Sequence, residues 1–458
     1  MASQHETERK VPGRFQPSEQ WGSPLELYRG LRESLLSIWT QETFEKLMVL
    51  KQSPIADILF LNDPDGLRHV LMEHIDDYPK SPIQQRFLKP SLGEGLITAE
   101  GEAWRVQRHA ANPSFKAEQL TELVPSILDG IEDRFDAWRK IGGRQPVEIR
   151  NEMMEMIIEI LCLSLFSGVR VDRQALGDAV SFYVDTVGQV DLLDFLNLPT
   201  WIPSPKFRKA KWSMDYLHGE TDRIVKERRS QSPMPVDLLT MLINGRDEKT
   251  GRGFSEQQLK DTLATLLSAG HETTANGMTM TLYLLSEFPW AAEKIREEVA
   301  EVFGDRRPEA KDYKHLKFTR MVVEESLRLY PPSSIVIRVA AKDDEICGQK
   351  IRKGTTIAIS QYVLHRHKKL WDNPDDFDPD RFLPEQKAER HRFSYIPFSI
   401  GPRSCIGSTF AMMEMVLATA MIMRDFDLQR VNDDPIELQL RITLRLKTPL
   451  PMLLTPRR

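Results

Sequence analysis

Apolar and polar positions along the 458-residue chain follow two different periods. From about residue 115 to 330 apolar residues recur every three or four positions, the helical period, interrupted by the turn-forming stretches "IGGRQP", "PTWIPSP" and "RDEKTGRG". Nearer the two ends the period shortens to two. "ADILFLND" predicts an early strand, "EICGQKIRKGTTIAIS" two strands around a turn, and "LQLRITLRLKTPLPMLL" an alternating region near the C-terminus. The pattern predicts a mainly α protein with a smaller β region (α+β). No repeat, low-complexity linker or charge block divides the chain, so residues 21–458 read as one domain, preceded by a loosely ordered segment over residues 1–20.

One predicted helix breaks the local rules. Ser255 followed by Gln258 is a capping-box start. The helical period then runs through "QLKDTLATLLSAGHETTANGMTMTLYLLSEF" and stops before Pro289. About thirty residues at ~1.5 Å each span about 45 Å, enough to cross a domain. A helix apolar nearly all round is a buried one. Its centre nonetheless carries Gly270, His271, Glu272, Thr273 and Thr274. Buried polar groups are unfavourable unless paired or used, and Gly270 weakens a helix by ~1 kcal/mol relative to alanine. Such conflicts in a core helix mark functional regions. Read singly, Thr273 fits a hydroxyl bonded back to the preceding turn, and His271 fits a packing or surface-facing residue rather than a metal ligand.

Composition narrows the field. With 41% hydrophobic residues the chain can bury a large core, and a net charge of -5 gives no sign of nucleic-acid binding. The opening "MASQHETERKVPGRFQPSEQW" has no apolar signal region, and "MIIEILCLSLF" is too short to span a bilayer. The expectation is a soluble, cytoplasmic monomer without an integral membrane anchor. Three widely spaced cysteines are not a disulfide framework, and no CxxC pair suggests a zinc or iron–sulfur site. Cys162 fits a small core hydrophobe, and Cys347 lies beside a turn. Cys405 differs: "FSIGPRSCIG" leads directly into the apolar run "STFAMMEMVLATAMIM". At the mouth of a helix, free N–H groups and the helix dipole favour a thiolate. A metal-bound thiolate, a reactive nucleophile and a plain buried cysteine all fit this position.

The form F-x-x-G-x-R-x-C-x-G, filled by Phe398, Gly401, Arg403, Cys405 and Gly407, resembles the haem-binding loop of the cytochrome P-450 family. The resemblance extends over nearly the whole chain, from about Asp57 onwards. It implies the cytochrome P-450 fold, with haem b (iron protoporphyrin IX) between the long helix and the Cys405 loop, and Cys405 as the metal ligand. "GEAWRVQRH" is similar to the family's W-x-x-x-R helix, so Trp104 and Arg108, with Arg338 of "SSIVIRVA" and Arg403, would hold the propionates. Glu325 and Arg328 of "EESLRLYPP", with Arg381 of "NPDDFDPDRFLPE", would form an ion network behind the loop. "AGHETTA" looks like the oxygen-activation segment: Gly270 leaves room beside the iron, and Glu272 and Thr273 form the acid–alcohol pair. Pocket walls would include Ala269, Thr273, Ile335, Val336 and parts of "IQQRFLKPSLGEGLI". Ser399 and Ile400 depart from the glycine or alanine of many members without removing a ligand.

The resemblance implies a monooxygenase that inserts one atom of O2 into a lipophilic small molecule such as a fatty acid, terpenoid, steroid or xenobiotic. No G-x-G-x-x-G stretch or cluster-binding cysteine set is present, so a separate ferredoxin or flavodoxin with its reductase would supply electrons. It would dock around Cys405, where Arg105, Lys116, His365 and Arg366 offer positive charge. A peroxide-using or non-oxygenating haem-thiolate enzyme, and a haem sensor without turnover, are the alternatives.

Overall fold

The computed structural model describes residues 13–52, 57–195, 202 and 204–457. Among them, eleven helices of ten or more residues are numbered α1 to α11: Pro24–Glu33, Pro82–Leu92, Gly101–Ala111, Val124–Ile141, Ile149–Leu165, Arg173–Val187, Lys211–Ser230, Glu256–Glu287, Pro289–Val302, Lys317–Leu329 and Ser408–Asp425. The strands are β1 Met48–Lys51, β2 Ile58–Leu61, β3 Val147–Glu148, β4 Ile335–Val339, β5 Asp344–Ile346, β6 Gln349–Ile351, β7 Thr356–Ser360, β8 Phe426–Arg430, β9 Leu438–Leu440, β10 Leu444–Leu446 and β11 Pro451–Pro456.

Helix α8 organises the molecule. Its start is the predicted capping box: Gln258 N–H donates to Ser255 Oγ at 3.2 Å, and Ser255 N–H to Gln258 Oε1 at 2.9 Å. It ends at Phe288, and Pro289 opens α9, where a missing N–H does no harm. Every residue from 274 to 285 is buried. Helices α5, α7, α10 and α11 pack around it. The main core joins them through side chains such as Phe135, Ile157, Leu263, Met278 and Val416.

The largest sheet has the order β1-β2-β7-β4; β2 and β7 run parallel and the other two pairs antiparallel. A smaller core on this side contains Leu59, Leu61, Val70, Leu71, Ile357 and Ile359. The stretch predicted as two strands around a turn forms three strands with two turns. Cys347 (φ 47°) and Gly348 (φ 83°) are both left-handed, the backbone of a two-residue hairpin between β5 and β6. The alternating C-terminal region forms the β9–β10 hairpin and β11, which pairs with β3 and β8.

Of the segment expected to be loose, residues 1–12 lie outside the described residues. Residues 13–20 have anchors: Phe15 N–H donates to Tyr362 Oη at 3.1 Å, and Ser18 bridges to Thr40. The turn "PTWIPSP" falls largely outside the described residues. Among those described, no helix is long and apolar enough to cross a membrane.

Candidate functional site

The loop before α11 is held by its own backbone. Cys405 N–H donates to Phe398 O at 2.9 Å, Ser404 N–H to Gly401 O at 3.0 Å, and Ser399 N–H to Ile396 O at 3.0 Å. The loop also needs two left-handed residues, Ser399 (φ 61°) and Gly401 (φ 75°). Gly401 has no alternative, because a Cβ there would run into the carbonyl oxygen of Leu71. The loop is thereby pressed against residues 71–72.

Cys405 lies two residues ahead of Gly407, the N-cap of α11. Its side chain is accessible, yet burial raises its pKa above the ordinary thiol value. A sulfur both accessible and desolvated lines an internal hollow rather than the outer surface. The Gly407 N–H and the Arg108 guanidinium pull the pKa down but do not outweigh burial. This corrects the expectation that the helix mouth alone favours the thiolate: the free side chain is a thiol, and a bound metal must displace its proton.

Helix α8 supplies a second open surface. Leu266, Ala269, Gly270 and Thr273 keep partial exposure while Leu267, His271, Glu272 and Thr274 are buried. The spacing i, i+3, i+4, i+7 is one helix face. Gly270 also permits close packing on its other side, since a Cβ there would lie 3.2 Å from Leu161 of α5. Thr273 Oγ–H donates back to Ala269 O at 2.5 Å, so what the hydroxyl offers on this face is its lone pairs.

Glu272 points away from that face. Its Oε1 accepts from Arg150 Nη2 at 3.2 Å and from Arg445 Nη1 at 3.5 Å, while Oε2 has no hydrogen-bond partner among the described residues. Arg445 also pairs with Asp185, whose side chain is half exposed. The sequence neighbours Glu272 and Thr273 thus share no hydrogen bond. His271 Nε2 bonds to Met154 O at 2.9 Å and is a packing residue, with a pKa driven by burial down to about 4.

A cluster of cations lies beside the loop. Arg403 stacks on Trp104, 4.1 Å from the ring centroid, and donates to Ala99 O at 2.8 Å and to Glu100 at 2.5 Å. Arg108 Nη1 donates to Ser404 O at 2.8 Å. Arg338 is buried, and burial together with Arg403 lowers its pKa to about 10. Sequence reasoning missed a fourth cation, Lys80, which pairs with Arg338 as an isolated β-bridge. Burial, then Arg403, depresses its pKa to about 7. Nothing local marks this lysine, because the bridge that brings it here joins segments far apart in sequence. Lys80 and Arg403 share the single carboxylate of Glu100. Surplus desolvated positive charge calls for an anionic partner. A Cβ built on Gly407 meets nothing within 4 Å. The accessible thiol, the open face of α8 and the surplus cations fit a flat, dianionic, thiolate-ligated group such as haem.

Behind the loop, Arg328 uses all five of its donors: Nε and Nη2 reach Glu325 at 2.6 and 2.8 Å, and the remaining bonds go to the carbonyls of His365, Pro374 and Asp376. Arg381 Nε lies 3.6 Å from Glu325. The structure corrects the expected docking charge. His365 is fully buried and accepts Ile396 N–H at 2.9 Å, and Arg366 is buried over the Tyr362 ring at 4.0 Å. His365 thereby braces the loop's approach from inside, whereas Arg366 is turned to the Leu329 carbonyl and Asp375. Lys116 and Arg105 are exposed, but Arg105 is already paired with Asp76 at 3.0 Å. On β4, Ile335 packs towards the main core and Val336 towards the sheet-side core, so the two do not form one wall. The segment 83–97 packs on α8 near Asp261, which accepts Glu94 N–H at 2.8 Å.

Residues 12–455 match the family described as Cytochrome P450. The chain is 33% identical over 343 residues to cyclooctatin synthase from Streptomyces melanosporofaciens, covering 74% of each chain. It is 33% identical over 393 residues to Protein LUTEIN DEFICIENT 5, chloroplastic, from Arabidopsis thaliana, covering 81% of this chain and 65% of that protein. It is 29% identical over 410 residues to Cytochrome P450 4F2 from Homo sapiens, covering 83% and 78%.

Proposed function

The chain belongs to the cytochrome P450 family, and from that premise we propose that it oxygenates a lipophilic small molecule with electrons from a separate ferredoxin or flavodoxin. It is a haem-dependent oxidoreductase, a monooxygenase. The observation that carries the reading is Cys405, an accessible yet desolvated sulfur beside a surplus of buried cations.

When bound, haem supplies dioxygen activation, with a cysteine thiolate favouring O–O cleavage. Cys405 Sγ would hold its iron, with Gly407 N–H and Arg108 tempering the sulfur's charge. Arg108, Arg338, Arg403 and Lys80 would take the propionates, with Trp104 bracing Arg403. Leu266 and Ala269 present apolar surface from α8, and Ile335 adds more from β4, which favours a lipophilic substrate and excludes water. Thr273 Oγ1, its proton spent on Ala269 O, accepts a hydrogen bond in the hollow and fixes where protons arrive. Glu272 is the buried acid, with Arg445 linking it to the half-exposed Asp185 and so towards solvent.

The test is spectral. Reduced protein with carbon monoxide should show the red-shifted Soret band of a thiolate-ligated haem, and Cys405→Ala should lose it. Retention of that band in the variant removes Cys405 as ligand. Substrate-dependent oxygen consumption with a reductase pair separates this reading from peroxide use and from a sensor, neither of which requires it.

A further inference from the structure

Residues 69–74 form an accessible chelating cluster apart from the haem thiol. The short helix Pro64–Arg68 runs into a π-helical turn, His69–Glu73, capped by His74. His74 N–H donates to His69 O at 2.9 Å, an i to i+5 bond. The wider turn brings residues five apart onto one face, which an α-helical turn would separate. The His69 and His74 rings consequently lie 4.2 Å apart and 32° from parallel. With Glu73, one ligand atom from each side chain falls within 4.8 Å of the others.

The histidines are also oriented from outside. His69 Nε2 lies 2.8 Å from Asp344 Oδ2, and the same oxygen accepts Tyr78 Oη–H at 2.7 Å. With Nε2 held by a carboxylate, Nδ1 is the free ligand atom, and a carboxylate behind a histidine is the usual outer partner of a metal-bound imidazole. His74 Nδ1 faces Asp77 at 3.6 Å, which leaves its Nε2 free. Among the described residues Glu73 is tied to Arg68, at 3.1 Å on an exposed surface. Such a bond is weak enough for a cation to displace.

We propose that His69, Glu73 and His74 form a binding site for a divalent transition metal of the zinc type, completed by water. Two imidazoles and a carboxylate are a set that Zn2+ accepts at about 2.0–2.2 Å, so ligand atoms now within 4.8 Å of one another must draw in to roughly 3.4 Å. The site abuts the haem-ligand loop, because Gly401 is packed directly on Leu71 and Met72, the middle of the same turn. An ion here adds positive charge beside the Cys405 loop and locks the turn on which that loop rests.

The test is calorimetric titration of Zn2+ into the full-length haem-loaded protein, without an affinity tag and in a non-chelating buffer. Cys347→Ser serves as background, to remove the exposed thiol. We expect one Zn2+ per chain. His74→Ala and Glu73→Gln, both at exposed positions, should each weaken binding by at least ~10-fold, and Asp344→Asn by ~10–100-fold through the orientation of His69. Thermal unfolding should shift upward with Zn2+ in the background protein and not in His74→Ala. No stoichiometric binding at 100-fold excess over protein, or binding undiminished in both His74→Ala and Glu73→Gln, overturns the site.

Discussion

Thr273 Oγ1 and Glu272 Oε2 carry opposite kinds of unspent capacity. The threonine has given its proton to Ala269 O and keeps lone pairs, whereas the glutamate keeps an oxygen with no donor on it among the described residues. Thr273→Ala should therefore preserve the fold and the haem but waste electrons. The readout is hydrogen peroxide released per reducing equivalent, with a tight-binding substrate and a competent redox partner. Loss of a positioned acid–base group typically lowers a rate by about 10²–10⁴-fold, although water can stand in for a hydroxyl. Unchanged coupling in Thr273→Ala would remove the residue from the proton path. His271, two positions earlier, makes a stability prediction. Its folded pKa, about 4, lies below the ~6.5 of a free imidazole. As pH falls from 6.5 to 4 the unfolded chain takes up a proton that the folded chain refuses, so stability is lost over that window and is intact above it. Urea unfolding at pH 7 and at pH 4.5 should show wild type losing about 2 kcal/mol more than His271→Gln. Equal losses would mean that the buried imidazole protonates without opposition.

At the scale of elements, the network behind the loop ties α10 to the segment that comes after β7. Glu325 and Arg328 are fully buried. Removing either strands the other, at about 3–5 kcal/mol. Glu325→Ala and Arg328→Ala should yield little folded holoprotein. Arg381→Ala should be milder, because its nearest approach to Glu325 is 3.6 Å. Equal yields of all three variants and wild type would mean that the buried network contributes little to folding. The i, i+3 pair was legible in "EESLRLYPP", as were the capping box of α8 and the cysteine at the mouth of α11. The three carbonyls that saturate Arg328 were not, because they belong to a loop placed by tertiary packing. For the same reason His365 and Arg366 read as surface cations: charge is visible in a sequence, whereas burial depends on what passes over a residue. Glu272 and Thr273 read as a pair through the family resemblance; consecutive helix positions point ~100° apart, and the structure turns one to Arg150 and Arg445 and leaves the other on the partly exposed face of α8.

For the molecule as a whole, the proposed propionate role would make the four cations couple folding to the cofactor. Burial and then Arg403 lower the pKa of both Lys80 and Arg338, Arg338 lowers that of Lys80 further, and Glu100 offers Lys80 and Arg403 one carboxylate between them. Without an anion this cluster opposes folding; with a bound dianion it favours both folding and retention of the group, since a ligand that binds only the folded state stabilises it. Lys80→Met should therefore act with opposite signs in the two forms. In the apo chain it replaces a buried, repelled ammonium by an apolar side chain of similar length. The gain should be roughly 1–3 kcal/mol, as for other buried charges exchanged for hydrophobes, offset in part by the lost bond to Ala99 O, 3.0 Å in the wild type. In the holoprotein the same change would remove a proposed propionate partner and should speed haem transfer to an acceptor such as apomyoglobin. The pH dependence has a definite sign. The folded pKa of about 7 lies below the ~10.5 of an unfolded lysine. The penalty is therefore full below pH 7 and fades as pH rises towards 10. Apo wild type should gain stability over that interval, and apo Lys80→Met should not show this gain. The checks are denaturant unfolding of both apo proteins at pH 7 and 9, and haem-loss kinetics of both holoproteins at pH 7. If Lys80→Met destabilises the apo chain and leaves haem loss unchanged, Lys80 is a structural bridge to β4 and not part of the anion site.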